Sequence, residues 1–144
     1  MIIRKMKEQD TTAVAKIEEI NFAQPWSANA FCESLANKDT LFLVAQEEKE
    51  ILGYIGMYIS LDEGEITNVS VSPQHQRKHV ATKLIENIIE LAQKKQVSRI
   101  ILEVRKTNTP AIKAYEKQGF KIVGVRKNFY EKPIEDAYIM DVNI

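Results

Sequence analysis

The chain has 144 residues, room for one domain (1–144) with a real core and not for two. Its 20 basic and 20 acidic side chains cancel, which excludes a global field that recruits nucleic acid or anionic lipid and makes any anion site local. The single cysteine, Cys32, excludes an internal disulfide framework, and with no signal-like apolar stretch near Met1 and no apolar run longer than Ile51 to Ile59, a cytoplasmic protein with no membrane partner is expected.

In chain order, Ile2 to Lys5 reads as a first strand. Asp10 is placed to cap a helix over Thr11 to Phe22, with Ala13, Ile17 and Ile20 on one face. Pro25-Trp26-Ser27 breaks the chain, and Ser27 can cap a second helix that buries Phe31, Cys32 and Leu35. Strands follow at Leu41 to Gln46, Ile51 to Ile59 and Glu65 to Val71. The charged turn Glu47 to Glu50 joins the first two, and a turn around Asp62-Glu63-Gly64 joins the next. A long amphipathic helix begins at about Val80, with Leu84, Ile85, Ile88, Leu91 and Ala92 on its apolar face. Val97 to Val104 is a β-branched strand. Pro110 opens a helix that stops at Gly119, and strands at Lys121 to Arg126 and Ala137 to Val142 flank a loop containing Pro133. The order β-α-α-β-β-β-α-β-α-β-β argues an α/β domain, a mixed sheet with helices on both faces.

Two blocks carry the chemistry. Gln76-Arg77-Lys78-His79-Val80-Ala81 leads directly into a helix start, where unpaired N–H groups and the positive end of the dipole suit a phosphate. Arg77 and Lys78 read either as a solvated basic pair or as phosphate contacts. His75 and His79 stand four apart, but in a loop without cysteine or carboxylate companions, so no metal site is expected. The second block is Leu102-Glu103-Val104-Arg105, then Asn108, Tyr115 and Gly119-Phe120. Strand alternation puts Glu103 on the face of Ile101 and Arg105, opposite Ile100, Leu102 and Val104. By composition Glu103 pairs with Arg105 at the strand end, Tyr115 is a core tyrosine, Asn108 a helix cap and Cys32 a small core residue.

Gln76 to Ala81 resembles the pyrophosphate-binding signature of the GNAT family of N-acetyltransferases: Gln or Arg, two variable residues, Gly, any residue, then Gly or Ala. The element order is similar to that family's as well. Within it, the second block, Pro25-Trp26-Ser27 and Asn128-Phe129-Tyr130 resemble the bacterial enzymes that acetylate the N-terminal alanine of a ribosomal protein. The first glycine of the signature is His79 here, which puts the left-handed turn of the loop at a residue that adopts it at a penalty of about 1–2 kcal/mol.

The resemblance implies a mostly antiparallel sheet of about seven strands flanked by about four helices. It implies acetyl-CoA as co-substrate, with the strand at Val69, Ser70 and Val71 pairing with the pantetheine arm. Gln76, Arg77, Lys78, His79, Val80, Ala81 and Thr82 would hold the pyrophosphate, with Asn108 a further cofactor contact. Glu103 is implied as general base and Tyr115 as the acid that protonates the departing thiolate. Transfer is direct, without an acyl-enzyme on Cys32. An α-amine with pKa about 8 needs about 1.4 kcal/mol to deprotonate at neutral pH, and a lysine amine with pKa about 10.4 about 4.6 kcal/mol. A lone glutamate acting through water therefore suits an N-terminal amine, and the acceptor implied is a protein N-terminus, that of a ribosomal protein. Trp26, Phe129-Tyr130 and the turn near Gly64 are candidates to line the acceptor groove, with Trp26 equally readable as a hydrophobic plug. Transfer to a small amine such as a polyamine, and CoA sensing without turnover, are the competing readings. A generic nucleotide-binding domain is disfavoured for want of a glycine-rich strand-to-helix fingerprint.

Overall fold

The computed structural model describes residues 1–76 and 79–144. Seven strands form one sheet: β1 (Ile2–Lys5), β2 (Thr40–Glu47), β3 (Glu50–Ser60), β4 (Glu63–Val71), β5 (Arg99–Arg105), β6 (Lys121–Glu131) and β7 (Ile134–Asn143). The spatial order is β1-β2-β3-β4-β5-β7-β6, antiparallel except where β4 meets β5. Helices α1 (Thr11–Asn21) and α2 (Ala28–Leu35) cover one face, and α3 (Val80–Lys94) and α4 (Thr109–Lys117) the other. The expected element order and mixed sheet are those observed.

The core divides accordingly. On the α3 side, Val80, Leu84, Ile85, Ile88 and Ala92 pack on Leu43, Ile55, Leu102 and Met140. Each such side chain contributes about 1.5–3 kcal/mol on burial. On the other side Phe31 lies against Phe42 and Tyr54 with edge-on rings.

Several local expectations are corrected. Asp10 is the last residue of a single helical turn, Glu8–Asp10, and makes no cap bond to α1. Its carboxylate instead accepts from Arg4 at 2.8 and 2.9 Å and from the Lys7 N–H at 2.8 Å. The buried stripe of α1 is Val14, Ile17 and Glu18, while Ile20 is exposed. Ser27 does cap α2, accepting from Ala30, but Cys32 and Leu35 are only half-buried. The turn after β3 is Leu61-Asp62, with Leu61 left-handed and outermost in solvent. Gly64 lies inside β4, where a Cβ would stand 2.6 Å from the Met57 sulfur. The last two strands run further than expected, reducing the Pro133 loop to a short turn and placing Asn128-Phe129-Tyr130 within β6. Gly119 does end α4, at φ +92°.

Candidate active site

The parallel pairing of β4 with β5 is brief, from Glu63↔Arg99 to Ile66↔Leu102. It stops where β4 bulges: Met57 faces Ile66 and Gly56 faces Asn68, so Thr67 is an extra residue with no partner on β3. A bulge bends its strand and re-aims the residues on its far side. Beyond it, β4 and β5 splay apart around a cleft of about 330 Å³. Thr67, Asn68 and Val69 form one wall and Glu103, Val104 and Arg105 another. Asn108, Ala111 and Tyr115 close the α4 side, Glu18, Phe22, Ala23, Gln24 and Trp26 the α1 side, and Tyr130 of β6 and Lys132 of the turn after it complete the lining.

Alternation decides what β4 offers this gap. The Ser72 N–H donates to the Leu52 carbonyl, so Ser70 bonds β3 as well, and the main-chain groups of Val69 and Val71 point toward the side β5 has left. The Val71 carbonyl is taken by the Asn21 amide at 2.8 Å and the Gln76 amide at 3.2 Å. Among the described residues Val69 thus leaves a free main-chain edge, whereas the Ser70 hydroxyl turns under α1 and accepts from Asn21.

The expected face of Glu103 is the observed one, since Ile100, Leu102 and Val104 are buried opposite. Its pairing with Arg105 is not observed. Arg105 bonds Glu135 at 3.1 Å and the Pro133 carbonyl at 3.0 Å, and lies 4.3 Å over the Tyr130 ring. Glu103 Oε2 is buried and without a hydrogen bond among the described residues. Arg126 Nε approaches it to 3.1 Å but is not aligned to donate, so that contact is coulombic. Burial raises the Glu103 pKa above the ordinary carboxylate range; Arg126 opposes the rise and Glu65 adds to it.

Tyr115 comes to the same cleft from the other face of the sheet. Its ring is buried against Phe120, with centroids 5.5 Å apart, and its hydroxyl makes no hydrogen bond among the described residues. Burial pushes this phenol up, so it stays protonated. Tyr130 is pushed up to about 12, by burial first and then by Glu103. A bulge in β6, with Asn128 left-handed and its N–H on Asp136 at 2.9 Å, turns Tyr130 toward the cleft. Phe129 is exposed beside it, and Trp26 lines the cleft. Gly64, buried among Met57 atoms, does not line it.

At α3, His79 is the N-cap residue with φ 60° and ψ 22°, and its side chain makes no cap bond. Histidine thus keeps the left-handed turn that glycine makes elsewhere. The N–H groups of Val80, Ala81 and Thr82 precede the first intrahelical bond, Lys83 N–H to the His79 carbonyl at 3.1 Å. Arg77 and Lys78 lie outside the described residues. Asn108 caps α4, its side-chain Oδ1 accepting from the Ala111 N–H at 3.4 Å, and also lines the cleft. His75 binds Ser72 at 3.0 Å and Glu50 at 3.1 Å rather than facing His79.

Sequence reasoning missed Glu18, Asn21 and Tyr54, which join the cleft to α1. Glu18 is 3 % exposed. It sits one helical turn after Val14 and beside Ile17, a spacing that marks the buried stripe and therefore a carboxyl group in need of partners.

A cleft between splayed strands, a main-chain edge and a helix N-terminus both without partners among the described residues fit a long thioester cofactor with a diphosphate. The chain belongs to the acetyltransferase (GNAT) family, whose model matches residues 7–120. It is an N-acetyltransferase with acetyl-CoA as its acetyl donor. A protein of Bacillus subtilis (strain 168), named provisionally as a ribosomal protein bS18-alanine N-acetyltransferase, is 36% identical over 143 residues, covering 99% of this chain and 95% of its own. The ribosomal protein bS18-alanine N-acetyltransferase of Escherichia coli (strain K12) is 32% identical over 144 residues, 99% of this chain and 97% of its own. The crystal structure of the Escherichia coli ribosomal-protein-S18-alanine N-acetyltransferase superposes with a TM-score of 0.91 at 30% identity, covering 99% of this chain and 93% of that one.

Proposed function

We propose that this chain acetylates the N-terminal α-amine of a ribosomal protein, an alanine, by direct transfer in the β4–β5 cleft. The observation that carries the reading is the meeting of Glu103 and Tyr115 at one gap from opposite faces of the sheet. Bound acetyl-CoA supplies an activated carbonyl. The N–H groups of Val80, Ala81 and Thr82 hold its diphosphate, with His79 and Gln76 beside them; Arg77 and Lys78 are assigned to the same diphosphate on the sequence signature alone. The Val69 main chain and the Val71 N–H align the pantetheine arm, and Asn108 flanks it. Glu103, raised by burial and left with an unbonded oxygen, takes the ammonium proton through water. The Tyr115 hydroxyl, protonated and without a hydrogen bond among the described residues, gives its proton to the departing sulfur. The acceptor enters past Trp26 and Tyr130. Such an acceptor places the reaction in the cytoplasm; no helix among the described residues is long and apolar enough to cross a membrane.

The test is free-thiol release with three acceptors: a peptide with an N-terminal alanine, the same peptide N-terminally blocked but carrying an internal lysine, and a polyamine. The free N-terminus is expected to turn over at least tenfold faster than the others. Equal or faster turnover of the polyamine would reject the acceptor assignment.

A further inference from the structure

Residues 23–26, between α1 and α2, have no regular structure, and among the described residues their single hydrogen bond runs from the Trp26 N–H to Glu18 Oε2 at 2.9 Å. The other Glu18 oxygen accepts from the Tyr54 hydroxyl. Tyr54 is fully buried, and burial together with Glu18 keeps its phenol protonated, so it is the donor. A carboxyl group in a core of Val14, Ile17, Phe31 and Tyr54 is expensive unless both oxygens are satisfied, and here both are. The segment so anchored forms the α1 side of the cleft, which Glu103 and Tyr130 also line. Trp26 also walls a second hollow of about 540 Å³ with Ser27, Ala30, Ser34 and Tyr58.

We propose that Glu18 is a positioning residue for the acceptor: by fixing the Trp26 main chain to the α1–β3 core, it sets the wall that the acceptor's first residues pass on their way to the amine site. The inference rests on the acceptor route proposed above. Glu18 touches no reacting atom. It acts through Trp26.

Trp26 is the one tryptophan of the sequence, so its emission reports this segment alone. Glutamine at position 18 can keep both contacts, its amide oxygen accepting from the Trp26 N–H and its amide N–H donating to the Tyr54 oxygen, whereas leucine, of similar size, can make neither. Glu18→Leu is expected to raise the acceptor-peptide KM about tenfold, with the acetyl-CoA KM and saturating kcat within about twofold, and to shift Trp26 emission to the red. Glu18→Gln and Tyr54→Phe keep the Trp26 bond, so each leaves the acceptor KM within about threefold of wild type, Tyr54→Phe with a lowered melting temperature. Trp26→Ala reproduces the acceptor-KM effect with Glu18 intact. An unchanged acceptor KM in Trp26→Ala or in folded Glu18→Leu overturns the proposal. So does a Glu18→Gln or Tyr54→Phe effect as large as that of Glu18→Leu, which would assign it to loss of charge or of core. Wild-type enzyme that acetylates no N-terminal amine would reject the function reading instead, and unchanged Trp26 emission in Glu18→Leu would then reject the anchor separately.

Discussion

Replacing His79 by glycine isolates the loop in front of α3. The histidine holds φ 60° at the N-cap, is exposed, and makes no cap bond. Left-handed backbone costs a side-chain-bearing residue about 1–2 kcal/mol, which glycine removes. Glycine in turn loses about 0.5–1 kcal/mol more in conformational entropy on folding. Because no side-chain cap is lost, the balance is a gain of about 0–1.5 kcal/mol. For a chain of this size that is a rise in Tm of about 0–6 °C. Calorimetric titration with acetyl-CoA should show a Kd that is unchanged or lower, since the first-turn N–H groups stay where they are and the approach to them widens. A Kd raised more than about fivefold, roughly 1 kcal/mol, would refute this reasoning and make the imidazole a direct phosphate ligand.

Glu103→Gln should lower kcat/KM by about 10²–10⁴ with acetyl-CoA affinity retained, measured by thiol release and titration. A base must be deprotonated, and burial raises the Glu103 pKa, so the acid limb of the kcat/KM profile should lie above the ordinary carboxylate range. Arg126→Ala removes the opposing charge and should move that limb to still higher pH; a shift to lower pH would contradict the assignment. Tyr115→Phe should cut kcat about 100-fold while leaving the melting temperature nearly unchanged, because its hydroxyl has no partner among the described residues. Asp10 is held below the ordinary aspartate range, first by hydrogen bonds from Arg4. Its stabilisation is present above the unfolded pKa and is lost as pH falls through the lower folded one. Asp10→Ala should thus cost about 2 kcal/mol in urea melts at neutral pH and progressively less below about pH 4.

Element order and sheet class were legible because each rests on a local signal: period two in β5, period 3.6 in α3, proline and glycine at the ends of α4. The Glu103 face followed from alternation alone. What escaped depends on contacts distant in sequence. Arg105 looks like the partner of Glu103 until β6 and β7 bring up Glu135 and Tyr130, and no nearby residue announces that. Asp10 resembles a cap, but Arg4 on β1 offers its carboxylate two strong bonds. The gap itself arises from the unpaired Thr67, and a one-residue register shift has no compositional mark. Glu18 was legible in principle, from its spacing to Val14 and Ile17, had the helix stripe been extended to include a carboxylate.

Transfer depends on where a thioester lies relative to two side chains, and a crystal structure with CoA and an N-terminal alanine peptide measures that directly. The expected result has the diphosphate on the N–H groups of Val80 to Thr82, the sulfur within hydrogen-bond reach of the Tyr115 hydroxyl, and the peptide amine one water from Glu103. A diphosphate bound away from α3, or a peptide amine on the far side of Trp26 from Glu103, would contradict it.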